Sequence, residues 1–213
     1  MSIYWPVAVA GSLVSGCFLI MDLINSFSQK KGYAPGAVDN ASGVGMVLSL
    51  AEYFSELPPK RLRLGFLITG AEETGLQGAA AFAEKLAQHG GKTAVFNLDM
   101  VGAGEELQVV TQVGSMLVQT TTKSLNTLLF NVHAQAKPIW YSLKSGDFAA
   151  FLRAGVDAVS IQTAGSVQAE TAYHTIKDNI HLIDIESLEI VGTTVVKFVE
   201  MLPYSDWAMD TGK

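Results

Sequence analysis

Short apolar runs of strand length alternate along this chain with longer segments of helical periodicity, and no other property of the sequence restricts its fold as tightly. LRLGFLIT at 62–69, TAVFNLD at 93–99, LQVVTQ at 107–112 and DAVSIQT at 157–163 have the length and side chains of buried strands. Residues 41–56 place Val44, Val47, Leu48 and Ala51 at helical spacing, and Pro58 and Pro59 stop the pattern. GLQGAAAFAEKLAQHGG, 75–91, reads as a helix closed by Gly90. Residues 115–134, the short segment GDFAAFLRAG and residues 184–202 complete the helical set, the last with Leu188, Val191, Val195, Phe198 and Leu202 on one face. This alternation predicts an α/β fold, a three-layer sandwich around a mostly parallel central sheet. With 213 residues, 49% hydrophobic and 16% charged, the chain can bury one sizeable core. Internal repeats and low-complexity tracts are absent from the sequence.

The beginning departs from that pattern. Residues 3–21, IYWPVAVAGSLVSGCFLIM, carry no charge and match the ~20 residues that a helix needs to cross a bilayer. Trp5 stands near one end and Lys30 and Lys31 beyond the other, as interfacial anchors would. No lysine or arginine precedes the run, which argues against a cleaved signal peptide. The expectation is an apolar segment, 1–28, forming a membrane helix through residues 3–21, followed by one domain over 29–213; a buried strand or helix of a soluble core is the competing reading. The protein is accordingly expected to associate with a membrane. The lysines favour a cytoplasmic domain, yet the side stays open.

Charge and cysteine content narrow the chemistry. A net charge of −6, with basic residues scattered, gives no footprint for nucleic acid. Cys17 is the single cysteine, so neither an internal disulfide nor a thiolate cage can form, and a bound metal would need His, Asp and Glu. In α/β folds the working groups gather beyond the carboxyl ends of the strands. Here those positions hold acids: Glu72 and Glu73 after LRLGFLITGA, Asp99 closing TAVFNLD, and Asp39 in the turn GAVDNASG that opens the first helix. His174 lies in AYHTIKDN, after the last strand. Clustered carboxylates repel and raise one another's pKa, and a divalent cation resolves the conflict. Mixed His and carboxylate coordination is typical of catalytic zinc. Of two adjacent acids in extended backbone, one can ligate while the other faces the substrate as a proton carrier.

The segments GAVDNASG, ITGAEETGLQGAAAF, NLDMVGAG, SGDFAAFLRAGV and AYHTIKDN resemble, in order, the motifs of the co-catalytic zinc aminopeptidase family, which also includes glutaminyl-cyclase-like members. The resemblance spans residue 36 to about 200. It implies that Asp39 bridges two zinc ions, Glu72 is the general base, Glu73 ligates one zinc, Asp99 ligates the other and His174 completes the coordination. Asp147 resembles an acid that the family places just outside the ligands.

One family feature is missing. A His two residues before an Asp, at least about 20 residues upstream of the bridging Asp, should ligate the same zinc as Asp99. No histidine precedes His89, and Ile20 with Asp22 is only a chance echo of that spacing. Three readings of the gap stay open: the chain is the C-terminal part of a longer protein, it works with one zinc, or it is a degenerate relative. The expected function is a zinc exopeptidase, foremost an aminopeptidase acting on peptide substrates, with one or two zinc ions. The alternatives are a non-catalytic membrane-tethered relative, glutaminyl-cyclase-like acyl transfer and a carboxypeptidase. His89, His133 and His181 are read as structural, and Trp140 and Tyr141 as packing residues with a competing role in a substrate pocket.

Overall fold

In the computed structural model, the described residues are residue 12 and residues 15–21, 33–89 and 91–209. Five strands make one mixed sheet: β1 (Ala94–Leu98), β2 (Glu106–Val113), β3 (Gln119–Thr120), β4 (Lys137–Tyr141) and β5 (Asp157–Ala164). β1 runs parallel to β5 and β4 parallel to β2, whereas β2 is antiparallel to both β5 and β3. The expected mostly parallel sheet is therefore corrected to a mixed one. β2 follows β1 through a turn too short for the crossover that a parallel neighbour needs. In that turn Gly104 adopts φ 96°, and a Cβ there would lie 2.1 Å from the Ala164 carbonyl oxygen.

Helices cover both faces, which gives the expected three layers. On one face α1 (Ser42–Glu56), α3 (Lys123–Val132) and α6 (Ile185–Met201) bring Met46, Leu50, Phe54, Leu125, Leu129, Val191 and Phe198 against Leu98, Leu107, Val109, Val159 and Ile161. On the other, α2 (Gln77–Gln88) and α4 (Phe148–Arg153) pack Ala79, Ala83, Phe148 and Phe151 on Val110, Val113 and Ala158. Because consecutive strand residues feed opposite cores, the strands read as continuous apolar runs. α5 (Val167–Ala172) and α7 (Asp206–Met209) complete the set.

Two further expectations are corrected. Residues 62–69 form no strand: they run irregularly, with Phe66, Leu67 and Ile68 exposed. A strand exists only through its ladder, and among the described residues β1 pairs with β5 alone. The 63–69 segment instead shares with β1 the walls of a cavity of about 640 Å³. The helix expected at 115–134 is confined to 123–132, because Gly114 turns the chain at φ 96° and residues 119–120 pair with β2. β4, the KPIWY segment, was not expected as a strand.

Most of the apolar run 3–21 lies outside the described residues. Its described part, residue 12 and residues 15–21, is helical and largely exposed, and no described helix is long and apolar enough to cross a membrane. The expected membrane helix is thus without structural support. His133 contacts Thr194 Oγ1 through Nδ1 at 3.3 Å between α3 and α6, a structural position.

Ile161, fully buried in the middle of β5, tests the shared core. Ile161→Ala should cost about 2–5 kcal/mol, read as a lowered urea midpoint with an unchanged slope.

Candidate metal centre

The turn that carries Asp39 is built by hydrogen bonds from distant parts of the chain. Residues 37–41 lead into α1 with Asp39 and Asn40 outside helical geometry, and the peptide between them is cis. Asp178, buried, accepts the N–H of Val38 at 2.8 Å and that of Asp39 at 3.0 Å. Asn40 donates to the Leu98 carbonyl at 2.9 Å and accepts the N–H groups of Gly43 and Met100, each at 3.1 Å. Ser42 donates to the Val38 carbonyl at 2.7 Å and accepts the Val101 N–H at 3.2 Å. The turn is thereby fastened to the carboxyl end of β1, next to Asp99. Only glycine fits at 43, since a Cβ would lie 2.5 Å from Asn40 Oδ1 and 2.6 Å from the Leu98 oxygen.

His174 follows α5 with a left-handed backbone, φ 55°, and its ring stacks on Tyr173 at 3.8 Å. Its Nε2 stands 3.2 Å from Asp39 Oδ2 and 2.9 Å from Glu73 Oε1. The three ligand atoms lie within 4.8 Å of one another. Tetrahedral zinc with bonds of 2.0–2.2 Å separates its ligand atoms by roughly 3.3 Å, so this donor set needs little movement to hold the ion. Glu73 sits in the turn 71–76, where the Glu72 carbonyl accepts the N–H groups of Gly75 at 2.9 Å and Leu76 at 2.8 Å. The two acids thus lie on a turn rather than in the extended backbone expected for them.

Glu72, Asp99 and Asp147 line the same cavity as Asp39 and Glu73. Burial, reinforced by the charge of Glu73 and then of Asp147 and Asp39, pushes Glu72 up to about 7. Burial foremost, and then Asp39 and Glu72, push Asp99 up to about 7, against a lowering influence from Lys144. Asp39 is raised by burial and by Glu73, and His174 opposes this. Asp147 is raised by burial and lowered by the hydrogen bond that Thr69 donates to Oδ2. Its Oδ1 is buried with no protein partner. A crowd of acids held above their usual range, with an imidazole among them, is the electrostatic setting that a divalent cation relieves.

The structure therefore brings together Asp39, Glu73 and His174 at ligand distance and places Glu72 beside them. Asp99 reaches the same cavity but stands outside that trio. Tyr141 also lines the cavity, donating its hydroxyl to Gln162 Oε1, whereas the half-exposed Trp140 turns its indole N–H to the Gly114 carbonyl at 2.9 Å. Sequence reasoning missed Asp178, although it belongs to the AYHTIKDN segment that supplied His174. A second acid four residues beyond a ligand was the available signal.

Comparison with known proteins identifies the family. A model of peptidase family M28 matches residues 23–199. The aminopeptidase YwaD of Bacillus subtilis is 30% identical over 177 residues, which is 78% of this chain and 38% of that enzyme. A probable zinc metalloprotease of Pyrenophora tritici-repentis is 44% identical over 73 residues, 34% of this chain and 17% of the relative. The chain thus spans less than half the length of the curated relatives it matches. Among solved structures, an aminopeptidase from Aneurinibacillus sp. strain AM-1 superposes with a TM-score of 0.61 at 29% identity, covering 79% of this chain and 40% of that one.

The raised acids fix the sign of a pH effect. Glu72 and Asp99 start unfolded near 4 and reach about 7 folded, so the folded chain binds more protons between those values and loses stability as pH rises across that window. Chelator-treated protein should melt at lower temperature at pH 8 than at pH 5, and added zinc should raise the melting temperature more at pH 8. Asp178→Ala, which removes both acceptors of the Asp39 turn, should weaken zinc binding at least about 10-fold in competition with a chromogenic chelator.

Proposed function

The chain belongs to peptidase family M28, and from that premise we propose that it acts as a zinc-dependent aminopeptidase, hydrolysing the N-terminal bond of a peptide. The observation that carries this reading is the Asp39, Glu73 and His174 trio with Glu72 next to it. Three protein ligands leave one open position in a tetrahedral site, enough for catalysis by a single zinc. A second ion between Asp39 and Asp99 would need ligands beyond those described. When bound, zinc supplies Lewis acidity that polarises the substrate carbonyl and makes water a stronger acid.

Glu72 performs the proton transfer. Its carboxylate, raised foremost by burial, lines the cavity beside the trio, where it can take a proton from the attacking water and deliver it to the departing amine. Glu73, one residue away, is committed to the metal trio and so leaves that role to its neighbour. Asp99 and Asp147 in the cavity wall offer acceptors for the ammonium of a peptide's free N-terminus, as aminopeptidase action requires. YwaD and the Aneurinibacillus enzyme, both named aminopeptidases, support the same choice.

Glu72→Gln separates binding from turnover. The variant should retain the zinc content of the wild type by elemental analysis while kcat on leucine p-nitroanilide falls by about 10²–10⁴. Wild-type protein purified with zinc available but free of it, or a Gln variant of undiminished rate, would refute the reading.

A further inference from the structure

Lys144, in the loop that joins β4 to α4, places a cation in the lining of the acidic cavity. Its ammonium lies 4.3 Å from the centre of the Tyr141 ring and 5.9 Å from that of Tyr173. Its polar contact is Gln162 Oε1 at 3.4 Å, an oxygen that already accepts the Tyr141 hydroxyl. Gln162 is itself fixed by donating to Gln108 Oε1 at 2.6 Å. Among the described residues Lys144 forms no ion pair. An ammonium has three N–H donors, and aromatic faces stabilise its charge without accepting those donors in linear bonds. The side chain is thus held in position with hydrogen-bonding capacity to spare.

Reach decides what could use that capacity. Tyr173, 5.9 Å from the ammonium, is the ring stacked on His174 at 3.8 Å. The path from Lys144 to the metal-facing imidazole is therefore no longer than three residues of extended chain, about 10 Å. A substrate whose scissile carbonyl sits at the trio can bring to Lys144 a group up to about three residues away. The charged lining around it is Arg63 and the carboxylates of Asp39, Glu72, Glu73, Asp99 and Asp147, and the Lys144 charge already acts on Asp99 across the cavity; the N–H donors that no protein acceptor takes select an anion.

We propose that Lys144 binds a carboxylate of the substrate, so that the site prefers peptides with an anionic group within about three residues of the scissile bond. The inference rests on the aminopeptidase reading for the orientation of the peptide. Two sources offer the same chemistry, the C-terminal carboxylate of a dipeptide and the side chain of an N-terminal Glu or Asp. Lys144 is a specificity-determining residue in this scheme, and proton transfer stays with Glu72.

The test uses zinc-loaded full chain and two matched pairs: Leu-Ala against Leu-Ala amide, and Glu p-nitroanilide against Gln p-nitroanilide. Each is followed by hydrolysis and by calorimetric binding. The wild type should favour the charged member of at least one pair by 10-fold or more in kcat/KM, carried mainly by KM, and the pair that responds identifies the source. Lys144→Met should bring that ratio close to one, and Lys144→Arg should restore part of it, an outcome that mere structural support would not produce. Equal treatment of both pairs by the wild type, or a preference that survives in Lys144→Met, would overturn the proposal. Tighter Lys144-dependent binding of the charged member without hydrolysis would leave the proposal standing and overturn the aminopeptidase reading instead.

Discussion

Carboxylates that the fold forces together govern the rest of this structure. Asp99 is half-buried at the carboxyl end of β1, and Asp39, Glu72 and Asp147 reach the same cavity from the turn before α1, the turn before α2 and the loop before α4. None of these elements can withdraw, because each is anchored in one of the two cores: Leu50 and Phe54 of α1 on one face, Ala79 of α2 and Phe148 of α4 on the other. Apolar packing thus holds the acids in place against their own repulsion. The raised pKa of Glu72 and Asp99 is the chemical expression of that conflict, since burial makes each carboxylate easier to protonate and a cation more welcome.

Positioning within the cluster is done by hydrogen bonds to backbone as much as by the charges that face one another. Asn40 ties its own turn to Leu98 and Met100 across 58 and 60 residues of sequence, and Asp178 ties the same turn to the segment that bears His174. Asp39 therefore meets Glu73 and His174 because its backbone is fixed from two directions, which leaves the side chain available for coordination. This division of labour explains why the turn tolerates no Cβ at Gly43: the space is already taken by the amide of Asn40 and the end of β1.

How far the fold could be read from sequence varied with the origin of each contact. Where an element's apolar spacing and its packing agree, as in α1, α6, β1 and β5, the boundaries from sequence fall within about two residues of the observed ones. Where the state depends on a partner, sequence was silent. LRLGFLIT has the side chains of a strand but no ladder among the described residues, and KPIWY, opened by a lysine and a proline, is a strand because β2 offers its edge. The antiparallel entry of β2 likewise depends on the turn at Gly104, which local periodicity does not record. Asp39, Glu73 and His174, which the fold brings together, were named from the order of their motifs, while Asp178 was not, because it accepts N–H groups from residues 140 and 139 positions away.

Glu72 and Glu73 show what the structure adds to such a reading. In sequence they are interchangeable neighbours, and either could ligate or carry protons. The turn at 71–76, opened by Ala71 with φ 59°, directs them to different surroundings. Glu73 is largely exposed and meets an imidazole at 2.9 Å, where a cation can be shared. Glu72 faces the buried side, near Asp147 and Asp39, where its proton is retained to near neutral pH. Two identical carboxyl groups thus meet different surroundings, one at the surface beside an imidazole and one among acids in the cavity wall, and the separate tasks proposed for them follow from that difference.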